Sequence, residues 1–256
     1  MIQMYKNTPL FYSSKGNGNP LVLLHGFLES SSIWDPFIDE LSEKRQVITI
    51  DLPGHGRSGN IAETHSMELM ADAVHEVLQQ LQIKHVTLIG HSMGGYVSLA
   101  FCQKFPIMTK GLVLLNSTPE ADSEERRKSR ERAIKIVRKS KDAYISMAIS
   151  NLLSDNNREL FPKELEKLKK DALGFSKEGI IGALKGMKIR TSKVSTLSLF
   201  NGPKYIVAGI NDPVLNFYDV ERVADVSNCN FLPLSGGHLS FIENKNELKN
   251  IMHFID

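Results

Sequence analysis

"VTLIGHSMGGYVSLAF", residues 86–101, is the stretch on which the fold turns. An apolar run enters a serine flanked at two-residue spacing by Gly90 and Gly94, and a second apolar run leaves it. A serine on a tight strand-to-helix turn is driven into a strained backbone conformation. Only small neighbours two positions away avoid a clash there. The turn exposes Oγ and sets the positive end of the following helix beside it. The bland alternative is a serine that merely turns the chain or caps a helix.

Outward from this stretch, "PLVLLHG" (20–26), "RQVITIDLPG" (45–54), "HVTLIG" (85–90), "GLVLLN" (111–116) and "KYIVAG" (204–209) read as buried strands. Their apolar residues are continuous rather than alternating, as in a parallel sheet covered on both faces. Helical patterns fall at 31–44, 65–82, 93–105, 216–225 and 242–255. The alternation predicts an α/β chain with a doubly wound, mostly parallel sheet, whose ligands gather at the carboxyl ends of the strands. Residues 118–195 carry helical patterns and no convincing strand. They read as a helical cap inserted into a core of 1–117 and 196–256. "SKGNGNP" (14–20) is a hairpin or loop, without the strand–turn–helix setting of a phosphate cradle.

Composition excludes more than it selects. With 41% hydrophobic and 23% charged residues over 256 positions, there is apolar mass for a sizeable core. A formal net charge of +2 gives no footing for nucleic acid or a membrane surface. Cys102 and Cys229 form no framework of bridges, which suits a reducing compartment. The N-terminus, "MIQMYKNTPLFYSS", lacks a signal-peptide pattern, and no apolar run is long enough to span a bilayer. The expectation is a cytoplasmic monomer or homodimer acting on a small molecule, with no nucleic-acid or membrane partner. No cluster has metal-ligand spacing, so neither metal nor cofactor is expected.

A serine hydroxyl needs a base in hydrogen-bond reach, itself oriented by a third group. Of eight histidines, His238 follows a late strand and a glycine turn in "LPLSGGH" and precedes the terminal helix, which suits a base. His75, His85 and His253 read as surface or packing residues, and His65 as part of a helix start. His25 and His55 read as loop supports, and the ring of His91 should point away from Ser92. Asp212, just after the 204–209 strand, is the orienting acid; Glu120 and Asp122 compete for that role. The chain order is Ser92, Asp212, His238. The oxyanion donors are expected at the backbone N–H groups of Phe27 and Met93.

"LLHGF", "DLPGHGRS", "GHSMGG", "GINDP" and "GGHLSFIE" together resemble the signature blocks of the α/β-hydrolase superfamily, of the capped esterase and C–C hydrolase type. The order and spacing match over essentially the whole chain. One departure is Lys245, near where these proteins often carry a proline. The resemblance implies a cofactor-free serine hydrolase, with a carboxylesterase acting on esters, thioesters or lactones as the first reading. Aspartate-nucleophile members such as haloalkane dehalogenases and epoxide hydrolases are disfavoured by Ser92. The alternatives are C–C bond hydrolysis, a lyase of the menaquinone-pathway type, or a slow ligand sensor.

The cap should set specificity. Its apolar stripes nominate Tyr144, Met147, Ile181 and Met187 as pocket wall, with Trp34 at the entrance. Arg126, Arg127, Arg130, Arg132, Lys185, Lys188 and Arg190 read as solvated helix faces. They are also the cations that a carboxylate-bearing substrate would need.

Overall fold

The computed structural model describes residues 1–153, 157 and 159–254. Its strands are β1 (Ile2–Tyr5), β2 (Thr8–Lys15), β3 (Asn19–Leu24), β4 (Arg45–Ile50), β5 (Val86–His91), β6 (Thr109–Leu115), β7 (Lys204–Gly209) and β8 (Asn230–Leu234). They form one sheet in the order β1-β2-β4-β3-β5-β6-β7-β8. From β4 to β8 all pairings are parallel; β1 and β2 pair antiparallel with each other, and β2 with β4.

The central strands are the continuous apolar runs. Leu21, Val22, Leu23 and Leu24 of β3 are fully buried, as are Leu112, Leu114 and Leu115 of β6. β1 and β2 were not legible in that way. They lie at an edge and alternate between covered and solvated positions, so polar residues such as Thr8, Ser13 and Ser14 interrupt them.

The helices that flank the sheet are α1 (Asp35–Leu41), α2 (Met67–Gln80) and α3 (Met93–Lys104), then α9 (Phe217–Val226), α10 (Ser240–Glu243) and α11 (Lys245–Phe254). The helix expected over 31–44 begins as a 3-10 turn at 31–34, with Pro36 in the first turn of α1. The one expected over 242–255 breaks at Asn244, and residue 255 lies outside the described residues.

Between β6 and β7 stand α4 (Glu124–Lys139), α5 (Lys141–Ser150), α6 (Pro162–Leu173), α7 (Lys177–Ile189) and α8 (Val194–Leu199). Serine caps start two of them: Ser123 accepts from the Arg126 N–H at 3.2 Å and Ser176 from the Gly179 N–H at 3.0 Å.

α7 approaches the core through a glycine face. A Cβ on Gly186 would stand 1.7 Å from the His65 carbonyl oxygen, and one on Gly179 would stand 2.4 Å from the Gly54 carbonyl oxygen. The His65 N–H donates to the Gly182 carbonyl at 3.0 Å. These loop residues follow β4, so α7 is seated over the carboxyl end of the parallel sheet.

Candidate active site

β5 delivers Ser92 to the start of α3 with φ 49° and ψ −112°, a backbone conformation that L-residues avoid. Its neighbours must be glycine. A Cβ on Gly90 would fall 2.3 Å from the Gly94 backbone, and one on Gly94 would fall 2.4 Å from the Leu24 carbonyl oxygen. Hydrogen bonds hold the strained residue at both ends. Its N–H donates to Leu115 O at 2.9 Å, and its carbonyl accepts from the Gly95 N–H at 3.0 Å and the Ser117 hydroxyl at 2.8 Å.

His238 lies in the loop between β8 and α10, with Nε2 3.0 Å from Ser92 Oγ and Nδ1 2.8 Å from Asp212 Oδ2. Asp212 follows β7. Its Oδ1 accepts from the N–H groups of Val214 (2.7 Å) and Leu215 (3.0 Å). Burial alone would raise the Asp212 pKa, but His238 and these donors together hold it below the usual carboxylate range. An ionised Asp212 makes Nδ1 the protonated ring nitrogen, leaving Nε2 to accept the Ser92 hydroxyl proton.

Met93 is the first residue of α3, so its N–H has no acceptor within the helix. Phe27 sits in the turn after β3. Outside helices and strands, neither N–H has a backbone acceptor among the described residues. Phe27 shares a cavity with Ser92 and His238.

Several supports carried no clear signal in the sequence. Asn116, with φ 45°, donates its side-chain amide to Asp212 Oδ2 at 3.1 Å and to the Gly237 carbonyl at 3.0 Å, and accepts from Ser240 Oγ at 2.5 Å. The one hint was an asparagine closing an otherwise apolar strand. Glu29 accepts from the Gly26 N–H at 2.6 Å and pairs with His91 at 2.9 Å. The His91 ring reaches the His238 carbonyl on its other side and pairs with no Ser92 atom.

His25 accepts the Leu52 N–H on Nε2 at 2.9 Å, which leaves Nδ1–H to donate to Gly26 O at 2.7 Å. His55 packs edge-on to Phe27 and Phe175. His65 is fully buried just before the Ser66 cap of α2, and His75 stacks on Phe105 at 4.0 Å. His253 bonds Glu40, and His85 faces the Ile107 carbonyl. The competing acids are engaged elsewhere: Glu120 pairs with Arg222 at 3.0 Å, and Asp122 lies beneath arginines.

The cavity over Ser92 is about 140 Å³ and includes Leu28, Tyr96, Tyr144, Ala148, Leu152 and Met187 in its wall. Two nominated wall residues, Met147 and Ile181, and the entrance residue Trp34 are absent from it. Trp34 is fully buried against Phe37, because the 3-10 turn points its indole into the core. Met147 is 49% exposed, on the face of α5 turned away from the core. Ile181 packs against the core as a partly buried side chain and is not part of the cavity wall. Periodicity marked the stripes but not which neighbour each residue would meet.

A larger cavity of about 350 Å³, between α1, α6 and α10, contains neither Ser92 nor His238. Among the described residues, no group of three or more His, Cys, Asp or Glu is arranged to hold a metal ion. No helix among them is long and apolar enough to cross a membrane.

A family model of the alpha/beta hydrolase fold matches residues 19–134. A putative non-heme haloperoxidase of Mycobacterium phage D29 is 26% identical over 235 residues, 88% of this chain and 83% of that protein. The (E)-2-((N-methylformamido)methylene)succinate hydrolase of Acinetobacter baylyi is 33% identical over 115 residues, 45% of this chain and 44% of that protein. A thermophilic esterase from Thermogutta terrifontis, solved with malate bound, superposes with a TM-score of 0.90 at 28% identity. That likeness covers 96% of this chain and 92% of the esterase.

Proposed function

We propose that this chain, which belongs to the alpha/beta-hydrolase superfamily, is a serine hydrolase that cleaves small carboxylic esters through Ser92, His238 and Asp212. The observation that carries the reading is the unbroken line Asp212 Oδ2, His238 Nδ1, His238 Nε2, Ser92 Oγ, with links of 2.8 and 3.0 Å. The hydroxyl ends that line inside a cavity whose wall is mostly apolar, with Arg126 and Arg130 beside it.

In this reading Ser92 Oγ attacks the ester carbonyl carbon while its proton passes to His238 Nε2. Asp212 keeps Nδ1–H in place and stabilises the imidazolium that forms. The N–H groups of Phe27 and Met93 receive the developing oxyanion. Collapse of the tetrahedral intermediate breaks the bond to the alcohol, which takes the proton from Nε2. Water then attacks the acyl-Ser92, giving its proton to His238, and Ser92 leaves with that proton restored. The segment 118–195 acts as a cap in this proposal, its α4, α5 and α7 side chains closing the cavity. At about 140 Å³ the cavity falls below the roughly 300–1,000 Å³ of drug-sized sites, which favours short acyl chains.

C–C bond hydrolysis by the same three residues is the second reading. It is favoured by two arginines, Arg126 and Arg130, in the cavity wall. Steady-state hydrolysis of p-nitrophenyl esters of increasing acyl length, wild type beside Ser92→Ala, tests the first. Turnover that peaks at short chains and disappears in the variant supports it; no turnover, or turnover equal in both, overturns it.

A further inference from the structure

We infer that the substrate of the Ser92 site is a short ester bearing a carboxylate, received by Arg126 and Arg130 of α4. This rests on the ester-hydrolase reading above and narrows its substrate class. The sequence made α4 a solvated helix, and Arg127, Lys128 and Arg132 are indeed exposed. Arg126 and Arg130 stand four residues apart on one face, where they share the cavity with Ser92 and His238. Their side chains are only 37% and 14% exposed.

The local charge does not balance. Asp122, fully covered, is shared by three guanidinium groups: Arg130 in direct contact, Arg190 at 2.5 Å and Arg126 at 3.6 Å. Three positive charges against one leave an excess of two. Glu29 nearby is matched by His91 at 2.9 Å. Asp212, whose partner His238 keeps Nε2 as a proton acceptor, offsets one of the two, so an excess of one positive charge remains. Unmatched positive charge in a partly covered cavity wall is unfavourable, and a substrate anion relieves it.

A structural clamp on Asp122 explains Arg130 and Arg190 but not Arg126. Arg126 stands off Asp122 and donates Nη1 to the Val214 carbonyl at 2.6 Å. Val214 N–H in turn holds Asp212 Oδ1 at 2.7 Å, so Arg126 is fixed to the loop that carries the acid of the site. A planar guanidinium held this way is suited to a forked bond with a carboxylate. The rest of the wall, Leu28, Tyr96, Tyr144 and Met187 among it, suits the short carbon chain between that carboxylate and the ester.

Binding is read by calorimetry on Ser92→Ala protein, using monomethyl glutarate and its neutral primary amide, so that the outcome does not depend on turnover. The half-ester should bind at least about tenfold more tightly, an advantage that shrinks as salt is raised. Adding Arg126→Gln should remove most of it, and Arg126→Lys should keep part. Equal binding of the two probes, or an advantage that neither salt nor Arg126→Gln reduces, overturns the inference. The salt series needs no arginine variant, so misfolding of one leaves the test intact. Methanol release by the wild type separates the two readings. Tight half-ester binding without release sinks the hydrolase reading alone, and equal release from both probes sinks the anion site alone.

Discussion

The ring of His91 faces the backbone carbonyl of His238 at 2.9 Å, so the loop carrying the proposed base is braced by the residue just before the nucleophile. On its other side His91 meets Glu29, also at 2.9 Å. Burial alone would push His91 down and Glu29 up. Their mutual attraction reverses both, so His91 sits above 6.5 and Glu29 below 4.5. A doubly protonated His91 donates from both nitrogens, one to Glu29 and one to His238.

Glu29→Gln should therefore destabilise the fold by about 3 kcal/mol, the usual order for breaking a buried pair. The loss should be greatest at about pH 4.5–6.5. His91's contribution is complete below its unfolded value of 6.5 and fades as pH rises through its folded value. Glu29's is present above its unfolded value of 4.5 and fades as pH falls through its lower folded value. Urea midpoints of wild type and variant across pH check this; a gap of constant size would contradict it.

Asn116 ties the Asp212 loop to the His238 loop through two donated hydrogen bonds. Asn116→Gly keeps the positive φ of this position and removes only the side chain. The expected result is a fall in kcat of about tenfold with KM little changed, because positioning of the base is loosened rather than substrate binding. A change confined to KM would show that the residue acts on the pocket instead.

Gly186→Ala should be among the most damaging small substitutions in the chain. Its Cβ would overlap the His65 carbonyl oxygen, a backbone atom that cannot swing aside. A loss of about 1–3 kcal/mol is expected, as for overpacking generally. At Gly182 the nearest atom is a ring nitrogen of His65 at 3.0 Å, so Gly182→Ala should cost less. Thermal melts of the two variants give the order; equal melting temperatures would contradict the packing described for α7.

Acid should weaken the fold through His65. Burial depresses its pKa to about 4, and neither ring nitrogen has a hydrogen-bond partner among the described residues. A histidine depressed in the folded state is protonated first in the unfolded chain. Stability therefore falls as pH drops below 6.5, by on the order of 2 kcal/mol near pH 5. An NMR titration placing His65 at an ordinary histidine value would contradict this.

These elements differ in how plainly the sequence announced them. Strands β3 to β7 were legible because a strand covered on both faces must be apolar throughout. β1 and β2, half-solvated at the sheet edge, carry no such mark. Ser92 stood out as a candidate because strain demands glycines at fixed spacing, and His238 and Asp212 because each lies in a loop just past a strand at the same edge. Glu29 and Asn116 did not, and nothing in the sequence singled out Arg126 and Arg130 from the other helix cations. Their roles depend on which atoms of distant segments they meet, and one-dimensional spacing does not encode that. Trp34, Met147 and Ile181 were misplaced for the same reason.

The most direct measurement is the intact mass of the protein after treatment with an alkyl fluorophosphonate, followed by peptide mapping. The expected result is a single adduct on Ser92 in the wild type, none in Ser92→Ala, and much slower labelling in His238→Ala. No adduct in folded wild-type protein, or an adduct on another residue with Ser92 unmodified, would contradict the assignment of Ser92 as the nucleophile.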